Sequence, residues 1–239
     1  VTPDELYELN TRFEGADPAE LIAWAADRFM PKLAATSSFQ TQSVALLHLI
    51  SQVRPEIPVI FLDTGYHFPE TISHRDQLVE QFGLNLHIVR AAMNRADFVK
   101  QYGDALYRHD PDLCCYLNKV EPMERALKGL DAWITGIRRD QTANRANAQP
   151  VEQLPDGRIK VNALLAWTRQ DLWTYISRHN LPSHPLFSQG YLSVGCAPCT
   201  APVMEGQDER AGRWAGTGKT ECGLHTIVGT TGKTLSGAD

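Results

Sequence analysis

The chain has 239 residues, 43% hydrophobic and 21% charged, enough to bury a sizeable core and ordinary for a globular protein. A formal net charge of -5 argues against a general nucleic-acid binder, although 23 Lys and Arg leave room for a local basic pocket. No apolar run approaches the ~20 residues that span a bilayer, and no signal-peptide pattern opens the sequence, so a cytoplasmic protein without nucleic-acid or membrane partners is expected.

Two helices are predicted within residues 1–30. Thr2-Pro3-Asp4-Glu5 caps the first, with Leu6 and Leu9 on one face, and Asp17-Pro18-Ala19-Glu20 opens the second, which carries Leu21, Ile22, Trp24 and Phe29. From Lys32 strands and helices alternate. Residues 33–37 read as a short apolar strand, followed by the hydroxyl-rich run Ser37 to Ser43 and an apolar-periodic helix with Val44, Leu46, Leu47, Leu49 and Ile50. Strand, turn and helix N-terminus together can bind phosphate, though an ordinary hydroxyl N-cap gives the same pattern. Residues 57–62 form a near-continuous apolar strand, as expected when helices cover both faces, and it ends in Asp63-Thr64-Gly65-Tyr66-His67. Pro69 opens a helix running to Phe82, residues 84–89 are a third strand, and residues 132–135 a fourth that ends in Gly136-Ile137-Arg138-Arg139-Asp140-Gln141. A hairpin over 149–161 turns at Asp156-Gly157, and Thr168 caps a helix with Leu172, Trp173, Tyr175 and Ile176. With no repeat and no linker, the expectation is one doubly wound α/β domain with a mostly parallel sheet: N-terminal helices over 1–30, a core over 31–200, and a flexible, less regular C-terminal tail over 201–239.

Five cysteines in a chain of this length do not make a disulfide scaffold. Cys114 and Cys115 are adjacent, Cys196 and Cys199 form a Cys-x-x-Cys pair, and Cys222 stands apart, close to His225. The two pairs point to a metal centre, with zinc and iron–sulfur as the candidates. Adjacent thiolates reach separate iron corners of a cubane more easily than one small tetrahedral ion, so the spacing favours the cluster. Cys222 then remains as a candidate nucleophile. A free thiol of pKa ~8.5 needs a positive field to ionise at neutral pH, which Lys219, Arg210, Arg213 and His225 could supply, with Glu221 acting against it. Arg138, Arg139 and Arg145 form a second basic cluster after the fourth strand; solvated surface charge is the alternative for any one of them.

The motifs SSFQTQS, LDTGYHFPET, the Cys114-Cys115 pair, TGIRRDQTANRA, HPLFSQGYLSVGCAPCT and KTECGLH, taken in order, resemble the assimilatory sulfonucleotide reductases, most closely their iron–sulfur branch. The resemblance spans about Ser37 to His225. It implies an adenine-nucleotide α-hydrolase-like fold, and a [4Fe–4S] cluster held by Cys114, Cys115, Cys196 and Cys199. It also implies that Cys222 attacks the sulfur of adenosine 5′-phosphosulfate (APS), leaving an S-sulfocysteine that thioredoxin resolves. Ser37, Ser38, Phe39, Ser43, Leu62, Asp63, Thr64, Gly65, Gly136, Arg138 and Arg145 are implied at the nucleotide. Lys119 is implied between cluster and phosphosulfate, with Arg210, Arg213 and His225 closing over the latter. The same reaction on 3′-phospho-APS (PAPS) stays open, as does a non-catalytic metal-binding redox sensor, and a homo-oligomer agrees with the resemblance. Gln40 stands where related nucleotide loops have glycine. The Ser-Gly-Gly-x-Asp-Ser pattern of ATP pyrophosphatases is missing, which argues against ATP adenylation.

Overall fold

The computed structural model describes residues 1–225; the expected tail is therefore seen as far as His225, and residues 226–239 lie outside the described residues. Helix α1 (Pro3–Phe13) begins where Thr2 Oγ1 accepts the Glu5 N–H at 3.2 Å, and α2 (Pro18–Phe29) where Asp17 Oδ1 accepts the Ala19 N–H at 2.9 Å. In each helix a proline fills the first turn, where its missing N–H costs nothing. Then come β1 (Leu33–Thr36), a 3₁₀ turn over Thr41–Ser43, α3 (Val44–Val53), β2 (Val59–Asp63), α4 (Pro69–Phe82) and β3 (Leu86–Arg90). Helix α4 stops at Gly83, whose left-handed φ of 63° is open to glycine without strain.

Four short helices follow: α5 (Arg95–Tyr102), α6 (Leu106–His109), α7 (Pro111–Cys115) and α8 (Glu121–Ala126), with a π-turn over Tyr116–Val120 joining the last two. The remaining elements are β4 (Ala132–Thr135), β5 (Val151–Gln153), β6 (Ile159–Asn162) and α9 (Arg169–Arg178).

The six strands form one sheet in the order β3-β2-β1-β4-β6-β5, all parallel except the β5–β6 hairpin. The inner strands β1, β2, β4 and β6 are buried on both faces, whereas the edge strands β3 and β5 are partly exposed, and inner-strand side chains alternate between two cores. Leu33, Ala35, Val59, Phe61, Ala132 and Ile134 face the large core with α2 and α3, whereas Ala34, Ile60 and Trp133 face a smaller one with Val120, Met123 and Leu127. The expected doubly wound sheet is thus present. The chain moves outward from β1 to β3, then returns to the far side of β1 as β4. That reversal opens a crevice at the carboxyl ends of β1, β2 and β4, the position where open α/β sheets bind ligands. Among the described residues, no helix is long and apolar enough to cross a membrane.

Candidate active site

A cavity of about 190 Å³ occupies the crevice. Ser37, Ser38 and Ser43 from the loop after β1 line it. That loop is pinned by its own side chains: Ser37 Oγ accepts the Phe39 N–H at 3.1 Å, Ser38 and Ser43 hydroxyls lie 3.2 Å apart, and Gln40 Nε2 donates to Ser38 Oγ at 2.8 Å. Gln40 Oε1 also accepts the Val194 N–H at 2.9 Å, so the residue standing in place of glycine tethers this loop to the Cys196 segment. Phe39 does not reach the cavity. It takes a left-handed φ of 52° and packs, fully buried, edge-on against Phe61 with ring centroids 5.5 Å apart.

After β2, Leu62 lines the cavity while Asp63, Thr64 and Gly65 do not. Asp63 is spent on structure: its carboxylate accepts the Gly65 N–H at 3.1 Å and pairs with Arg90 Nε at 2.9 Å. Thr64 Oγ1 lies 3.3 Å from Cys196 Sγ. His67 reaches the wall instead. Burial pushes its pKa down, so the ring is neutral and Nε2–H donates to the Leu62 carbonyl at 2.9 Å. After β4, Gly136 and Arg145 line the cavity. Arg138 lies outside the lining, only 1% exposed; it donates to Asp140 at 2.9 Å and to Gln42 Oε1 at 2.7 Å, bracing the two loops from behind.

The tail brings Arg210, Arg213, Cys222 and His225 to the same wall. Arg213 lies over Gly195, where any side chain would collide with its guanidinium, and donates to the Val194 carbonyl at 3.2 Å. Glycine is needed there so that the arginine can approach. The His225 ring stacks on Trp133 with centroids 5.8 Å apart, and burial drives its pKa well below the usual value, so it is neutral. Among the described residues, three enclosed donors or ring nitrogens around Cys222 find no partner: Arg145 Nε, Arg213 Nε and His225 Nδ1. Buried polar groups are rarely left so, and cationic donors without partners are what an anion-binding wall presents.

Beside this cavity, a small void is lined by Cys114 and Cys115 of α7 and by Cys196 and Cys199 of the loop after α9, with Tyr66, Tyr107 and Trp214 around them. All four are free thiols. Burial, then the neighbouring sulfurs, pushes Cys114 up to about 12; burial pushes Cys115 up to about 11 against the pull of Lys119, and Cys199 rises for the same reason as Cys114. Asn118 Nδ2 points at Cys114 Sγ from 3.7 Å, so donors already face two of the sulfurs. Among the described residues no three metal-ligating side chains are gathered tightly enough to hold a single ion. Lys119, on the π-turn, lines both the void and the large cavity. Burial opposes its charge, but Cys196, Cys222 and Cys115 outweigh burial and hold its pKa above the ordinary lysine value.

Gln42, His67, Gln141 and Glu209 also line the cavity although no motif chemistry singled them out, as does Glu221, which the sequence offered only as a charge opposing the thiolate. Gln42, His67, Gln141 and Glu221 stand inside the motif runs, which is the signal that could have found them; Glu209 had none.

Comparison with known proteins agrees with this geometry. The chain is 45% identical over 230 residues to the adenosine 5′-phosphosulfate reductase of Streptomyces coelicolor, covering 94% of this chain and 96% of that one. It is 44% identical over 222 residues to the enzyme of the same name from Halalkalibacterium halodurans, covering 92% and 96%. Among solved structures, the phosphoadenylyl-sulfate reductase of Candida auris, crystallised as a phosphate complex, superposes with a TM-score of 0.75 at 30% identity, covering 84% of this chain and 98% of that one. The phosphoadenosine phosphosulfate reductase domain model matches residues 32–202, and the chain belongs to that family.

Proposed function

We propose that this protein reduces APS to sulfite and AMP in assimilatory sulfate reduction, with Cys222 as nucleophile and thioredoxin as reductant. The observation that carries this reading is Cys222 on the wall of a cavity at the sheet's switch point, ringed by Lys119, Arg145, Arg210 and Arg213. The Cys222 thiolate attacks the sulfur of APS; a bond forms from Sγ to that sulfur, the sulfur–oxygen bond to phosphate breaks, and AMP departs with the electron pair. Guanidiniums facing the phosphosulfate lessen its repulsion of the thiolate and stabilise the charge that develops on AMP. A dithiol then attacks Sγ of the S-sulfocysteine and sulfite leaves with the electron pair. The second thiol of the donor resolves the mixed disulfide, freeing Cys222 and oxidising thioredoxin.

Four sulfur donors around one void, with hydroxyl and amide donors facing two of them, fit a [4Fe–4S] cluster held by Cys114, Cys115, Cys196 and Cys199. With every iron corner taken by the protein, such a cluster would supply a rigid anchor and a local field at Lys119. APS is favoured over PAPS because all three arginines after β4 are already paired with carboxylates: Arg138 with Asp140, Arg139 with Glu14 and Arg145 with Glu221. The relatives at 44–45% identity that carry the APS reductase name support the same choice.

Purified without oxygen, the protein is expected to be brown, with about four iron and four sulfide per chain. Cys222→Ser is expected to keep the colour and lose AMP release altogether. A Cys222→Ser variant that still turned over would remove the nucleophile from this reading. Equal or higher kcat/KM on PAPS would move the substrate to the 3′-phosphorylated nucleotide.

A further inference from the structure

Glu221 precedes the nucleophile, and a free carboxylate there would oppose thiolate formation. It is not free. Its Oε2 lies 3.0 Å from Arg145 Nη2 and 3.6 Å from Arg210 Nη2, and its Oε1 accepts the Thr142 hydroxyl at 3.1 Å. Both side chains of the Arg145 pair are 10% exposed. Around it the segment is clipped by polar contacts: Arg210 Nη2 donates to the Thr220 carbonyl at 3.0 Å, and Lys219 pairs with Asp112 on α7. Cys222 therefore follows directly on a segment clipped to the cysteine-bearing helix at Lys219 and to the loop after β4 at Glu221.

We propose that Glu221 is a positioning residue: by pairing with Arg145 and Arg210 it docks Cys222 on the cavity for the attack on the sulfonucleotide, and it plays no part in the later thiol exchange. The proposal rests on the APS reductase reading. Docking does not use up the cationic donors of the wall. Arg145 gives Nη2 to Glu221, and its Nε, like Arg213 Nε, is buried with no partner among the described residues, so the wall keeps cationic donors that the carboxylate has not taken. A buried ion pair that loses one member leaves the other charge uncompensated, so the docked geometry depends on the carboxylate rather than on packing alone.

The two half-reactions separate this role from a general structural one. In a single turnover of the cluster-loaded enzyme with APS, Glu221→Gln is expected to slow AMP release about a hundred- to thousandfold, the scale of an uncompensated buried charge. Glu221→Asp should recover part of the rate, and Thr142→Val, which removes a donor to the same carboxylate, should slow AMP release by a smaller factor. Once each protein is fully S-sulfonated, sulfite release on adding reduced thioredoxin should match wild type, and iron content should be unchanged. Equal slowing of both half-reactions, no slowing of either, or slowing fully explained by weaker equilibrium binding of APS would each overturn the positioning role. A wild-type enzyme that forms no S-sulfocysteine at Cys222 would instead overturn the parent reading.

Discussion

At the scale of single residues, the site is built by sharing charged groups among several tasks. Lys119 borders both the thiol-lined void and the large cavity, and it sits on the π-turn, whose extra residue per turn rotates the side chain relative to an α-helical path. Its charge is sustained by Cys196, Cys222 and Cys115 rather than by a carboxylate. Lys119→Met is expected to keep the iron content and to lower kcat/KM for APS by about a hundredfold or more, the scale of losing one preorganised donor to a charged transition state. Unchanged kcat/KM would exclude an electrostatic role for this residue. Glu221 shows the limit of reading charge from a string. Beside Cys222 it reads as a group that opposes the thiolate, but in three dimensions Arg145, Arg210 and Thr142 take up its oxygens.

At the scale of elements, three segments far apart in the chain meet at His184. Its Nδ1 accepts the Leu186 N–H at 3.2 Å, which leaves Nε2–H to donate to Thr71 on α4 at 2.9 Å, and its own N–H donates to Thr41 at 3.2 Å. His74 packs beside it, ring centroids 5.3 Å apart, and among the described residues neither of its ring nitrogens has a partner. Burial pushes both histidines down to about 4, His184 with added repulsion from His74. In the folded protein both are neutral near pH 6, whereas the unfolded chain takes up protons from pH ~6.5 downward. Their contribution to stability is therefore fully present above pH ~6.5 and is lost as pH falls towards 4, by at most about 1.4 kcal/mol per pH unit for each ring. Urea midpoints at pH 7.5 and pH 5 should show this fall, and His184→Gln should flatten it; a variant with the wild-type slope would remove the pair as its source.

At the scale of the whole molecule, one sheet whose inner strands are covered on both faces sets the positions of the pieces. Leu47 on α3 is fully buried in the large core, away from the void and its cysteines. Leu47→Ala is expected to cost about 2–5 kcal/mol of unfolding free energy, since the cavity left behind cannot fully collapse. Iron content and KM for APS should stay near wild type at a temperature where the variant is folded. A loss of iron without a fall in unfolding midpoint would show that this core supports the cysteine loops directly.

The elements were legible in the sequence wherever burial imposes a period. β2 is apolar because both faces are covered, Pro69 and Gly83 bracket α4 through their fixed backbone preferences, and Asp156-Gly157 forms the hairpin turn. Helices α5 to α8 are too short, at eight residues or fewer, to display an amphipathic repeat, and so only the structure reveals them. The five cysteines and the basic clusters were equally legible, because reactive and charged residue types declare themselves by identity. Their partners were not. Gln40 reaches Val194, Arg138 reaches Gln42, and Glu221 reaches Arg145, contacts that join residues distant in sequence and depend on strand order at the switch point. Residue types alone determined which chemistry this protein carries. Which arginines face the cavity, and which are consumed in holding it together, was decided only when the sheet brought its loops to one edge.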